Sequence, residues 1–122
     1  TDFNKPAWVF EFLRNKFSFP QASGGIRTVG VSARIYLPQH FSMYRRLLNE
    51  DELWHFLDGY GFKKVRTQDL SFKERVSLFK DAEVILGPHG PGLRHVVFSR
   101  TGAKLIEIFK PDFVDPTCWA HV

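Results

Sequence analysis

The sequence predicts an α/β fold, a Rossmann-like half with about four parallel strands and flanking helices. Strand-like and helix-like segments alternate along the chain in the order β-α-β-α-β-α-β. Neighbouring parallel strands need such crossovers, which are right-handed in nearly all sheets. The run Val84-Ile85-Leu86 is apolar without alternation, as a parallel strand buried on both faces requires. With 122 residues, the chain has room for one domain of this kind.

The composition is that of a globular protein, and it argues against several other classes of protein and kinds of site. Hydrophobic residues make up 43% and charged residues 25% of the sequence, which argues against a disordered tail or a fibre. The single cysteine, Cys118, excludes an internal disulfide framework and a cysteine-based zinc site. No apolar run is long enough to span a bilayer, and the chain opens without a targeting leader. Its abrupt start and end suggest a piece of a larger protein.

The charge is mildly basic. Seventeen Lys and Arg against thirteen Asp and Glu give a net charge of +4. The basic residues fall into short groups without the dense stripe typical of a nucleic-acid binder, so we expect no nucleic-acid partner. A small anion such as a nucleotide diphosphate needs only one or two arginines and some backbone donors.

The predicted elements form two parts, an N-terminal helix and linker in residues 1–32 and a Rossmann-like domain in residues 33–122. Residues 6–17 have helical apolar spacing with Asn4 as a cap. Residues 18–30 are rich in Pro, Ser and Gly, which indicates a loop. The predicted strands are residues 33–37, 62–66, 83–87 and 104–109.

Two helices of the second part begin at predicted capping boxes. Asn49 is followed by Glu52, and Ser71 by Glu74, which is the spacing at which cap and third residue bond each other's backbone. Gly61 is placed to end the first of these helices in a left-handed turn.

The turn at residues 87–93, with the sequence GPHGPGL, is the most unusual segment, because it leaves a buried strand and enters a short helix. Ligands of open α/β sheets bind beyond the carboxyl ends of the strands. Glycines allow close approach of a ligand, and a helix start offers unpaired N–H groups to an anion. A tight turn without any ligand is the alternative. The turn has neither the P-loop nor the dinucleotide G-x-G-x-x-G spacing.

His89 lies within this turn and has three interpretations. The first is a base near an acceptor hydroxyl, and the second is a hydrogen-bond donor to a phosphate or sugar oxygen. The third is a structural histidine bonded to carbonyls of the loop. No second His, Asp or Glu follows at ligand spacing nearby, so we expect no metal site.

Polar residues of two other segments are placed at the same edge of the predicted sheet. Glu107 interrupts the last apolar strand near its carboxyl end, and it either accepts hydrogen bonds from a ribose diol or pairs with a lysine or arginine. Arg45 and Arg46 follow the first strand and precede Asn49. Their planar guanidinium groups suit a diphosphate; the alternative is a solvated pair, or a partner of the acidic residues 50–52.

Five short motifs occur in order along the chain. They are YRRLLNEDEL at 44–53, YGF at 60–62, LSF at 70–72, GPHGPGL at 87–93 and LIE at 105–107. The series resembles the C-terminal part of glycosyltransferase family 61, which usually shows R-R-x-x-N-E, Y-G-F, L-S-F, H-G-A-G-L-T-N and V-I-E. Each motif alone is weak, so the resemblance, over about residues 33–109, depends on their order and compatible spacing.

The resemblance implies one half of an inverting, GT-B type glycosyltransferase that binds the donor. Such an enzyme transfers the sugar of a nucleotide sugar, for example a UDP-sugar, to a glycan or protein hydroxyl, typically without a required metal; no cofactor is expected. By motif position His89 would be the catalytic residue. The donor would be bound by Arg45, Arg46, Asn49, His89, Gly90, Pro91, Gly92, Leu93 and Glu107.

The sequence also departs from the family pattern. Residues 38–41 (PQHF) replace a polar turn, which removes groups that would touch the donor. Pro91 stands where the family has Ala, which removes a backbone donor, and Arg94-His95 replaces Thr-Asn. These departures favour an alternative function, a catalytically degenerate Rossmann-like module that only binds nucleotide.

The resemblance also carries expectations about the whole protein. Family members have an N-terminal acceptor domain that this sequence lacks, so we expect the fragment alone to be inactive in transfer. A eukaryotic parent is expected to be membrane-anchored in the lumen of the Golgi or endoplasmic reticulum, and a bacterial parent to be cytoplasmic.

Overall fold

The computed structural model describes residues 7–17, 33–39, 47–112 and 114. The α-helices are α1 (Ala7–Lys16), α2 (Glu50–Gly59) and α3 (Phe72–Asp81), and 3-10 helices cover Thr67–Asp69 and Pro91–Phe98. The strands are β1 (Arg34–Tyr36), β2 (Lys63–Lys64), β3 (Val84–Pro88) and β4 (Lys104–Ile108). All four predicted strands are therefore present, within the predicted ranges but for the end of β3.

The strands form one parallel sheet in the order β2-β1-β3-β4, which confirms the predicted α/β fold. The chain moves outward from β1 to β2, returns across β1 to β3, and then moves outward in the other direction to β4. The order reverses between β1 and β3, and ligands of open α/β sheets bind at the carboxyl end of such a switch point.

The sheet is covered on both faces, as the unbroken apolar run of β3 predicts. One face packs under α2, with Tyr36, Leu57 and Leu86 buried. The opposite face packs under α3 and the Pro91–Phe98 helix; its buried residues are Ile35, Leu37, Val65, Phe79, Ala82, Ile85, Leu93 and Val96. β3 lies between β1 and β4 and is buried from its second residue onward, so its end is enclosed by its neighbours.

The two predicted capping boxes have different outcomes. At α3 the box is confirmed, because the Ser71 hydroxyl accepts the Glu74 amide and the Glu74 carboxylate accepts the Ser71 amide at 2.6 Å. At α2 the box is wrong: Asn49 has φ −108° and ψ 36° and its side chain makes no capping bond. A capping side chain reaches the helix amides from extended backbone, which Asn49 lacks. Gly61 has φ +75°, as predicted for the turn that ends α2.

Helix α1 packs against the Pro91–Phe98 helix. Nε of Arg14 donates a 2.9 Å hydrogen bond to the carbonyl oxygen of Val97, and the ring of Phe17 lies edge-on to Phe72 and Phe98. The predicted cap Asn4 and the whole predicted linker, residues 18–30, lie outside the described residues, so the division at residue 32 stays a prediction. No helix within the described ranges is long and apolar enough to cross a membrane.

His95 provides a test of this packing by pH. Burial lowers the pKa of His95 below its usual 6.5, and its ring lies against Phe79 at 5.6 Å between centroids. Because the unfolded chain then takes up the proton more readily than the folded chain, stability is complete above about pH 6.5 and declines as the pH falls towards the folded pKa. We expect the Tm of the wild type to drop more between pH 7 and pH 5 than the Tm of His95→Gln. His55→Gln, at an exposed position of α2, is the control, and equal drops in wild type and His95→Gln would contradict the assignment.

Candidate functional site

The switch point brings two chain segments together at the carboxyl edge of the sheet. The amide of Leu37 donates to the carbonyl oxygen of Leu86 at 2.9 Å, which continues the pairing of β1 with β3 past the end of β1. Pro38 and Gln39 follow on one side and the glycine turn of residues 87–93 follows on the other. The two segments face each other because the central strands hold both in register.

The glycine turn uses some of its amides for its own structure, and two others have no partner among the described residues. The amide of His89 donates to the carbonyl oxygen of Ile108 at 2.8 Å, and that of Leu93 donates to Gly90 at 3.1 Å. Pro91 has no N–H to offer. The amides of Gly90 and Gly92 donate to no group within the described part of the chain. Gly90 is buried and Gly92 is half-buried at the start of the 3-10 helix, and N–H groups without a protein partner at a helix start are suited to an anion.

The side chain of Gln39 lies against the turn and was missed by the sequence analysis. A Cβ added to Gly90 would come 2.6 Å from Cδ of Gln39, and a Cβ added to Gly92 would come 3.2 Å from Oγ1 of Thr67. Glycine at both positions therefore allows side chains of other loops to approach the backbone closely. Within the segment 38–41, Gln39 places a carboxamide at the turn, whereas residues 40 and 41 lie outside the described residues, so the loss of donor contacts stays a prediction. No motif spacing in the sequence links Gln39 to Gly90, because the two residues come together only through the pairing of β1 with β3.

His89 and Glu107 form a hydrogen-bonded pair between the ends of β3 and β4. Nδ1 of His89 lies 2.6 Å from Oε1 of Glu107. The carboxylate side chain is fully buried, whereas the imidazole is 18% exposed. The ring of His89 stacks on Phe109 with 5.3 Å between centroids, so contacts on two sides fix its orientation.

Glu107 reaches this position because of its place in β4. It pairs in register with Gly87 of β3, and His89 follows two residues beyond Gly87. The partner of the Glu107 carboxylate is therefore His89, and not a lysine or arginine, which is one of the two partners predicted from the sequence. The second carboxylate oxygen, Oε2, is buried and accepts no hydrogen bond in the described structure, which is costly for a charged group.

The start of α2 lies at the same edge of the sheet, after the loop that follows β1. Asn49 is exposed there. Next to it, the hydroxyl of the buried Tyr36 donates to Oε1 of Glu50 at 2.9 Å. Burial, together with the Glu50 carboxylate, raises the pKa of Tyr36, so this hydroxyl keeps its proton and holds the start of α2 to β1. Arg45 and Arg46 lie outside the described residues.

The remaining predicted donor residues take different positions. Leu93 is completely buried in the core beneath the turn, so its side chain fixes the turn and presents nothing at the edge. Pro91 is exposed at the start of the 3-10 helix. The structure thus brings the turn, His89 and Glu107 together, with Asn49 on a neighbouring loop. Within the ranges that the structure describes, no group of three His, Cys, Asp or Glu could hold a metal ion.

Comparison with known proteins gives one family. Residues 4–106 match the family model described as Glycosyltransferase 61. An EGF domain-specific O-linked N-acetylglucosamine transferase of Drosophila melanogaster is 33% identical over 79 residues, 62% of this chain and 15% of that protein. A beta-1,2-xylosyltransferase of Oryza sativa is 29% identical over 118 residues, 88% of this chain and 22% of that protein. The chain thus spans about a fifth or less of the length of these relatives.

Proposed function

Because the chain belongs to glycosyltransferase family 61, we propose that it forms the donor-binding part of an inverting, GT-B type glycosyltransferase. It binds a nucleotide sugar, such as a UDP-sugar, and needs no metal. The observation that carries this proposal is the glycine turn, which leaves β3 at the switch point. It contains two amides without a partner among the described residues and the histidine of a buried carboxylate–imidazole pair. The relatives support glycosyl transfer as the reaction class.

The diphosphate of the donor binds at the glycine turn. The amides of Gly90 and Gly92 point to this function because an anion would satisfy both. Arg45 and Arg46 follow β1 along the chain, and in this proposal their guanidinium groups bind the diphosphate. These donors stabilise the charge that grows on the diphosphate as the sugar leaves, and stabilisation of developing charge is usually the largest single contribution to catalysis.

His89 is the catalytic residue of this proposal, acting on the acceptor hydroxyl. An acceptor domain outside the present sequence supplies the glycan or protein whose hydroxyl attacks the sugar. The relatives with named activities come from eukaryotes, and we propose the lumen of the secretory pathway as the compartment in which the complete protein acts.

Titration of the chain with UDP, UDP-N-acetylglucosamine and UDP-xylose tests donor binding. We expect saturable binding that does not change when the divalent metal is chelated. Arg45→Ala is expected to weaken it about 10- to 100-fold, since a hydrogen bond to a charged group contributes about 1.5–3 kcal/mol. Arg100→Ala is the matched control, because Arg100 pairs with Glu83 at the amino edge of the sheet. Absence of saturable binding in the complete gene product as well would refute the proposal.

A second function, nucleotide binding without transfer, is favoured by two features of the turn. The carboxamide of Gln39 covers Gly90, and Pro91 lacks the amide that the family's alanine would supply. The complete gene product distinguishes the two: a degenerate module binds UDP-sugars but neither transfers nor hydrolyses the sugar.

A further inference from the structure

The histidine–glutamate pair has a feature that donor binding alone does not explain. The carboxylate of Glu107 is fully buried, and its Oε1 is already bonded to Nδ1 of His89. A ribose diol would have to reach that carboxylate from outside, and the side chain exposes no surface for it. In this structure the carboxylate of Glu107 therefore contacts His89 and offers no surface to a ligand.

We infer that Glu107 is a positioning residue, which holds the ring proton of neutral His89 on Nδ1 and makes Nε2 the atom that accepts a proton. The oxygens of an ionised carboxylate only accept hydrogen bonds, so with Glu107 ionised the donor in the 2.6 Å contact is the Nδ1–H of His89. The inference deepens the proposed function and depends on it, because the proton comes from the acceptor hydroxyl of that reaction.

The pair also stabilises charge at the moment of transfer. As the acceptor oxygen forms its bond to the anomeric carbon, its proton moves to Nε2 of His89. The bond from the anomeric carbon to the diphosphate oxygen breaks, and the electron pair leaves with the diphosphate. The imidazolium formed in this step lies against the buried carboxylate, which has few other partners because Oε2 accepts no hydrogen bond among the described residues. A carboxylate behind a histidine base acts in this way without taking the proton itself.

The tautomer of His89 tests the pair without any measurement of activity. Nitrogen-15 NMR of the ring in the 122-residue chain, at a pH where the ring is neutral, is expected to show a protonated Nδ1 and a bare Nε2. In Glu107→Gln the amide is able to donate to Nδ1, so the population is expected to shift towards the form protonated on Nε2. A wild-type ring that is protonated mainly on Nε2 would overturn the inference, whatever the chain binds.

Kinetics of the complete gene product separates positioning from direct donor contact. Glu107→Gln is expected to lower kcat on the order of 10²- to 10⁴-fold with the KM of the UDP-sugar unchanged, and Glu107→Asp to restore part of kcat. Glu83→Gln removes a carboxylate at the opposite edge of the sheet and serves as the matched control. A raised KM with unchanged kcat would show instead that Glu107 holds the donor. If no UDP-sugar binds at all, the proposed function fails, while the NMR result still decides the role of Glu107.

Discussion

Gly87→Ala is expected to lower the free energy of unfolding by about 3 kcal/mol, the upper end of the usual cost of overpacking a core. A Cβ at Gly87 would lie 2.7 Å from the carbonyl oxygen of Leu37 and 3.3 Å from its Cβ. The obstructing oxygen belongs to the backbone just after β1, which hydrogen bonds hold to the end of β3. Neither central strand is able to move aside without losing these bonds. Urea unfolding followed by far-UV circular dichroism measures the change.

Two other glycines of the chain provide controls for Gly87. Gly59, in α2, has nothing within 4 Å of an added Cβ, so Gly59→Ala is expected to stabilise the chain by up to about 1 kcal/mol through its helix propensity. At Gly90 the obstruction is the far end of the flexible Gln39 side chain. Gly90→Ala is therefore expected to cost less stability than Gly87→Ala, while it displaces Gln39 from the turn. Equal stability of Gly87→Ala and wild type would show that the strand ends are not tightly packed.

The sequence predicts the strands and turns of the sheet well because the patterns that indicate them are local in the sequence. The apolar run of β3 and the left-handed position of Gly61 depend on a few neighbouring residues, and both predictions are confirmed. The box at Ser71 is confirmed for the same reason. The box at Asn49 fails because a cap also needs extended backbone, and the loop after β1 gives Asn49 another conformation.

The candidate site is less predictable, because its contacts join residues far apart in sequence. His89 and Glu107 are 18 residues apart and meet only because β3 and β4 pair in register. Sequence reasoning placed both at one edge of the sheet but assigned them different partners. In the sequence, Gln39 stands only where the family has a polar turn, and its position over Gly90 follows from the switch point between β1 and β3.

The strand order therefore divides the candidate site into two groups of residues, one at the ends of β1 and β3 and one at the ends of β3 and β4. The carboxyl ends of β1 and β3, which pair with each other, lead into Gln39 and the glycine turn. At the ends of β3 and β4, which also pair with each other, the carboxylate of Glu107 contacts the ring of His89. Because His89 lies in the turn that β3 leads into, one short segment links the proposed anion site to the proposed base. A rigid β3 is thus a requirement for both functions.

His89→Ala in the complete gene product is expected to lower kcat about 10²- to 10⁴-fold, the usual contribution of a positioned general base. The KM of the UDP-sugar is expected to stay near the wild-type value, because the proposed diphosphate donors are the turn amides and the arginines. Initial rates with saturating acceptor, together with UDP binding by calorimetry, measure the two effects separately. His55→Ala removes an exposed histidine of α2 and controls for the loss of an imidazole as such. If His89→Ala weakens UDP binding and leaves kcat intact, His89 is a donor to the diphosphate, and the base must then come from the acceptor domain.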